Sequence, residues 1–186
     1  MDKVIFLNFL FHKAVYICFF YLMEQLYLLL GSNLGNRCGY LEQARRLITA
    51  EIGPLSAASE LYETEPWGNN EQGRFLNQVI SVYSNHDPLH LLGIILDIEK
   101  RIGRLRSGIR NEARIIDIDI LFFGDHIIQT DVLCVPHPLL HKRRFALIPL
   151  NEIAPQLNHP LLMKSAAELL ESCDDPLSVS LFTESD

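Results

Sequence analysis

The chain has 186 residues, is 48% hydrophobic and 21% charged, and carries a formal net charge of −7. That length suits one domain with a proper core and is short for two. The balance excludes a disordered or fibrous chain, and an acidic chain is a poor non-specific binder of nucleic acid, so no nucleic-acid partner is expected.

The composition is uneven along the chain. Residues 1–22 hold 17 apolar residues and seven of the 17 aromatics, while the other 164 residues carry −8. A membrane-spanning helix wants about 20 apolar residues in a row, and Asn8, His12 and Lys13 interrupt this run. No small-x-small cleavage site follows it, as a signal peptide requires. Three readings stay open: an extension upstream of a true start at Met23, a peripheral or membrane anchor, or a signal. The expected organisation is a leader over 1–22, a folded domain over 23–173 and a loose polar tail over 174–186. The cysteines (Cys18, Cys38, Cys134 and Cys173) form no C-x-x-C pair. Reduced thiols in a cytoplasmic protein are the expectation.

The first element expected is a buried strand over Leu26–Leu30, ending in Gly31-Ser32-Asn33. Leu41, Ala44, Leu47 and Ile48 have helical spacing over Asn36–Ala50, and Gly53-Pro54 stops that helix. Ser56–Glu63 and Phe75–Tyr83 read as two strands. Between them Thr64–Gly73 is a polar loop too long for a tight hairpin, and loops of that length are often functional. Pro88 opens a helix to about Arg101, with apolar positions Leu91, Leu92, Ile95, Leu96 and Ile98. A basic loop follows over 102–113. Ile115–Phe123 is the clearest strand: Ile116, Ile118 and Ile120 face one way, Asp117 and Asp119 the other. Residues 138–173 read as loops and short helices. The order is β-α-β-β-α-β with a helical and loop appendix, which predicts an α+β, ferredoxin-like core.

Asp117-Ile118-Asp119 carries the strongest chemical signal. Residues two apart on a strand share a face, so the two carboxylates stand side by side. Two ionised carboxylates repel each other, and a site that keeps both supplies a cation. Mg²⁺ suits the pair, because it takes carboxylate oxygens and completes its shell with water and substrate phosphates. Alone, a D-x-D is more often a solvated strand face. Its context changes that reading. Five of the eleven arginines (Arg101, Arg104, Arg106, Arg110 and Arg114) crowd the loop leading into this strand of an acidic protein. Arginine makes forked, charge-assisted bonds to phosphate. Other features are weaker. Gly31-Ser32-Asn33-Leu34-Gly35 lacks the Lys-Ser/Thr of a phosphate-binding loop and reads as a plain turn. His137 alone reads as a loop histidine. Asn77, on a strand, must find partners and suits the edge of a heterocycle. Trp67 and Phe145 are flat enough to sandwich a ring.

Together these residues resemble the 6-hydroxymethyl-7,8-dihydropterin pyrophosphokinases, a folate-pathway enzyme family. The resemblance runs from about Leu26 to Pro160. It rests on Gly31-Ser-Asn-Leu-Gly35, Tyr62-x-Thr64, Phe75-Leu76-Asn77, Glu99 before Gly103-Arg104, Arg114-Ile-Ile-Asp117-Ile-Asp119, Phe123-Gly124 and Val135-Pro136-His137. It implies transfer of the β,γ-pyrophosphoryl group of ATP to the pterin hydroxymethyl oxygen, giving AMP. It further implies that Asp117 and Asp119 bind two Mg²⁺ ions. Arg104, Arg106, Arg114 and Arg143 would hold phosphates, with Arg110 also on the ATP side and Arg104 and Arg114 contributing to catalysis. Glu99, His137 and the Ile120 backbone would lie on the nucleotide side. Thr64, the Glu65 backbone and Asn77 would read the pterin edge, and Trp67, Phe75 and Phe145 would line or stack on the ring. The expected partners are the two substrates, the expected state a cytoplasmic monomer, with a membrane contact only through the leader. Asn111 and Glu112 depart from the aromatic and the small residue usual there. Two rivals are a D-x-D glycosyltransferase, which needs a larger nucleotide-binding domain, and a ferredoxin-like ligand sensor, which has no need of a metal pair.

Overall fold

A computed structural model describes residues 23–68, 72–105 and 112–183. Strand β1 (Glu24–Ser32) leads to helix α1 (Arg37–Glu51), and strands β2 (Leu55–Ala58), β3 (Tyr62–Thr64) and β4 (Phe75–Ser84) follow. Helix α2 (Pro88–Ile102) precedes β5 (Asp117–Phe123). The remainder holds the short strands β6 (Ile128–Gln129) and β7 (Cys134–Val135), a 3₁₀ turn, helix α3 (Arg144–Ile153), β8 (Asn158–His159), β9 (Lys164–Ser165), α4 (Ala166–Glu171) and β10 (Val179–Leu181).

The main sheet is antiparallel, in the order β10-β3-β4-β1-β5, with β2 also paired to β4. β1 lies between β4 and β5 and is buried without a break from Leu26 to Ser32. This explains a run that does not alternate: a strand covered on both faces has no wet side to display. Leu26, Leu28 and Leu30 pack with Leu41 and Ile48 of α1 and Ile95 and Ile98 of α2. Tyr27 and Leu29 point the other way, into a second apolar layer with Ala146, Leu147 and Leu150 of α3.

Local chemistry sets the helix ends. Asn36 Oδ1 accepts from Gly39 N–H at the start of α1. The Asp87 carboxylate accepts from Leu89 and His90 N–H at the start of α2, beside Pro88. Gly103, at φ 110°, ends α2 in a conformation that favours glycine.

Two expectations change. The strand expected over Ser56–Glu63 divides into β2 and β3. Between them Ser59 N–H still donates to Val79 O, while the Ser59 hydroxyl accepts the Val79 N–H and its carbonyl accepts from Gln78 Nε2, so side chains take over part of the ladder at the break. The tail expected to be loose instead adds an edge strand, β10, to β3. Phe182 N–H donates to Leu61 O, and Asp175 accepts from the Arg144 N–H. The leader lies outside the described residues. Among the described residues, no helix is long and apolar enough to cross a membrane.

Candidate active site

One row across the sheet builds the floor of the site. Tyr62 pairs with Asn77, Asn77 with Gly31, and Gly31 with Asp117. Residues two apart share a face, so Thr64, Phe75 and Asp119 lie on the same face in the neighbouring rows. Gly31 keeps its middle low, since a Cβ there would stand 2.9 Å from Asn77 Oδ1. Above this floor lies a cleft of about 530 Å³, bounded by α2, the entry to β5, the loop after β3 and the start of α3.

One wall is charged. The Asp117 carboxylate is held at both oxygens: Oδ1 accepts from Arg104 and Oδ2 accepts from Arg114 at 2.7 Å. Glu99, buried on α2, accepts from the same Arg104 and from the Ile118 N–H at 2.9 Å. Its carboxylate thereby caps a main-chain donor of edge strand β5. Arg143 Nη1 lies 3.6 Å from Asp119 Oδ2 and 3.2 Å from His137 Nε2. Loss of water, then the neighbouring Asp117 charge, pushes the Asp119 carboxyl up to about 7, against the pull of Arg143. Burial and then Arg143 push His137 down to about 4, so it is neutral at pH 7.

The opposite wall is uncharged at its base. Asn77 Nδ2 donates to Thr64 Oγ1 at 2.7 Å, with both side chains buried. Trp67 and Phe145 stand on the Arg143 guanidinium at 5.1 and 5.7 Å, and Phe75 lies 5.9 Å from that of Arg114.

Twelve of the residues singled out from sequence line this cleft: Thr64, Glu65, Trp67, Phe75, Asn77, Glu99, Arg104, Arg114, Asp117, Asp119, Arg143 and Phe145. His137 lies behind Arg143 rather than on the lining. Ile120 puts its side chain into the apolar core and is not on the lining. The Glu65 N–H donates to Ser178 O of the tail, which takes that half of its backbone away from a ligand. Arg106, Arg110 and Asn111 lie outside the described residues. Glu112 is half-buried, and its carbonyl accepts from Arg114 Nε.

Several lining residues were not singled out: Leu92, Ile95, Leu96, Val132 and Gln72. The apolar stripe of α2 held the signal for three of them. Leu91, Ile95, Ile98 and Ile102 are buried in the core, Leu92 packs at its edge, and Leu96 widens the stripe beyond it at 40% exposed. Nothing comparable marks Val132 or Gln72.

Residues 27–155 match the family model of 7,8-dihydro-6-hydroxymethylpterin-pyrophosphokinase. The 2-amino-4-hydroxy-6-hydroxymethyldihydropteridine pyrophosphokinase of Aquifex aeolicus is 40% identical over 146 residues, covering 78% of this chain and 90% of its own. That of Bacillus subtilis is 39% identical over 132 residues, 70% of this chain and 78% of its own. The solved structure of wild-type Plasmodium falciparum HPPK-DHPS shares the fold, with a TM-score of 0.65 at 20% identity. The match covers 80% of this chain and 44% of that longer one. By sequence and by architecture, the chain belongs to the 7,8-dihydro-6-hydroxymethylpterin-pyrophosphokinase family.

Proposed function

We propose that the chain transfers the β,γ-pyrophosphoryl group of ATP to the hydroxymethyl oxygen of 6-hydroxymethyl-7,8-dihydropterin, in folate biosynthesis. The alcohol oxygen bonds to the β-phosphorus, the bridge to the α-phosphate breaks, AMP leaves, and the hydroxyl proton is lost. One observation carries this reading: a carboxylate pair ringed by arginines shares a single cleft with a buried amide–hydroxyl pair.

Each wall suits one substrate. Leu92, Ile95, Leu96 and Val132 offer an apolar slot for a nucleobase. Arg104, Arg114 and Arg143 offer guanidinium forks to phosphate oxygens, with Arg106 and Arg110 in the same basic segment. Asn77 and Thr64 present donor and acceptor groups to a pterin edge, and Trp67, Phe75 and Phe145 present flat faces to its ring. Such a transfer depends on positioning and charge compensation more than on covalent chemistry. The arginines that now neutralise Asp117 can turn to the phosphates, and Arg104 and Arg114 compensate the charge that develops there. Asp119, on the cleft face beside Asp117, is the carboxylate we assign to assist loss of the hydroxyl proton.

The carboxylates fit magnesium. Among the described residues, no cluster of three or more His, Cys, Asp or Glu could hold a metal ion by itself. A pair of hard oxygen donors on one strand face is what Mg²⁺ takes when phosphates and water complete its shell. Asp117 and Asp119 would hold two such ions, which when bound polarise the phosphates and orient them in line.

The sheet order β5-β1-β4-β3 and the β-α-β-β-α-β element order support the ferredoxin-like reading of the core. We further propose that the protein acts as a cytoplasmic monomer. The deciding experiment incubates it with ATP, Mg²⁺ and the hydroxymethyl dihydropterin and follows AMP. AMP release that needs both the pterin and Mg²⁺ is the expected result; tight binding with no AMP would indicate a ligand-binding module. An Asp119→Asn variant with normal turnover would remove Asp119 from proton transfer.

A further inference from the structure

We propose that Asn33 is a positioning residue that ties the pterin-side loop to the phosphate-side strand, so that both walls of the cleft are held at a fixed spacing. This rests on the pyrophosphokinase reading of the site and adds a residue to it. The motif that ends β1 reads from sequence as a plain turn, and a turn accounts for its glycines. It does not account for a buried amide that spends both ends on distant segments.

Asn33 is 7% exposed. Its Oδ1 accepts from the Arg114 N–H at 2.7 Å, and its own N–H donates to the Arg114 carbonyl at 3.1 Å. Its Nδ2 donates to Gln72 Oε1 at 3.0 Å and to the Gly73 carbonyl at 3.4 Å. The backbone partners fix which way the amide points. Arg114 N–H can only donate and Gly73 C=O can only accept, so oxygen and nitrogen cannot exchange places. One side chain therefore grips both margins. Arg114 carries its guanidinium to Asp117, and Gln72-Gly73 closes the loop that carries Trp67. No other side chain type of this size offers an acceptor and two donors in one rigid plane.

The chemistry separates the two grips. Asn33→Asp keeps the acceptor for Arg114 and sets an oxygen against the Gly73 carbonyl. Gln72→Ala removes a partner on the loop alone. Asn33→Ala removes both grips. AMP formation is measured with ATP and pterin varied separately, alongside the emission of Trp67, the sole tryptophan in the chain. Misplacement of a substrate-binding group by about 1 Å can cost up to 100-fold. On that scale Asn33→Asp and Gln72→Ala should raise the pterin KM about tenfold and change kcat little. Asn33→Ala should add a fall in kcat, because the Arg114 N–H loses its acceptor and only the main-chain bond from Asn33 N–H to the Arg114 carbonyl is left. The double variant Asn33→Ala/Gln72→Ala should have the pterin KM of Asn33→Ala alone. Trp67 emission should shift in both Asn33 variants before any substrate is added.

An unchanged pterin KM in Asn33→Asp and Gln72→Ala overturns the proposal. So do KM effects of Asn33→Ala and Gln72→Ala that multiply in the double variant. If Asn33→Ala does not fold, the other two single variants still decide. A wild-type protein that makes no AMP counts against the pyrophosphokinase reading; Trp67 emission then still tests the tether, and an unshifted spectrum overturns it.

Discussion

The two walls of the cleft are built on opposite principles. On the wall formed by α2 and the entry to β5, carboxylates and guanidiniums hold one another, and Asp117 and Asp119 keep 24% and 34% of their side chains in solvent. On the wall formed by β3 and β4, Thr64 and Asn77 are neutral, nearly inaccessible and bonded to each other. Asp117 and Asp119 stay in contact with solvent, and ion pairs that reach solvent contribute less stability than fully buried ones. A buried polar pair is costly to break, because each group left behind has no water to turn to. The charged wall is thus a set of contacts ready to be traded for phosphates. The neutral wall is set in place by strand register before any ligand arrives.

Substitutions on the two walls should therefore separate activity from stability. Asp117→Ala should have the largest effect, lowering kcat by on the order of 1,000-fold or more, as when a group that stabilises transition-state charge is removed. Its melting temperature should stay within a few degrees of wild type, and added Mg²⁺ should no longer raise it. Asn77→Ala should do less to catalysis and more to the fold. We expect a pterin KM raised about 10–100-fold at near-constant ATP KM, and a stability loss of about 1–3 kcal/mol from the orphaned Thr64 hydroxyl. Denaturant unfolding and steady-state kinetics check both. If Asp117→Ala proves the less stable of the two, the contrast between the walls fails. Leu96→Ala, at the exposed margin of the apolar slot, should cost less again: an ATP KM raised about two- to tenfold with the pterin KM unchanged, as for a partly buried apolar side chain.

The parts of this site legible in the sequence are those that local pattern dictates. The alternation around Asp117 and Asp119 predicted their shared face, and the first strand, both long helices and the βαββαβ order followed from an apolar run, helical spacing, the Gly53-Pro54 stop and Pro88. Long-range matters were not legible. Ser59 divides a strand because its hydroxyl reaches β4, and Val179–Leu181 becomes an edge strand because β3 offers an unpaired side. Neither feature shows in local composition. Asn33 has the same cause: its partners lie 39 and 81 residues away. Leu92 and Leu96 were legible as apolar and misplaced in purpose, because a stripe that packs a core and a stripe that lines a slot look alike until the slot is formed.

The smallest effect is the most discriminating for the charged wall. Without metal, the Asp119 carboxyl titrates at about 7 in the fold, against about 3.9 in an unfolded chain. The native state therefore holds more protons than the unfolded state between these values, and stability falls as pH rises from about 4 to 7. His137 acts in the opposite sense. Its folded value of about 4 lies below the ordinary 6.5, so it contributes stability above 6.5 that is lost as pH falls toward 4. Between pH 4.5 and 6.5 the two trends offset each other, and the metal-free wild-type protein should show a melting temperature that varies little. Asp119→Asn should expose the histidine trend, with stability rising with pH across that window. His137→Gln should expose the aspartate trend, with stability falling. Melting curves of the three proteins in chelator test this directly, and parallel profiles for all three would mean that neither group is shifted in the direction its surroundings dictate.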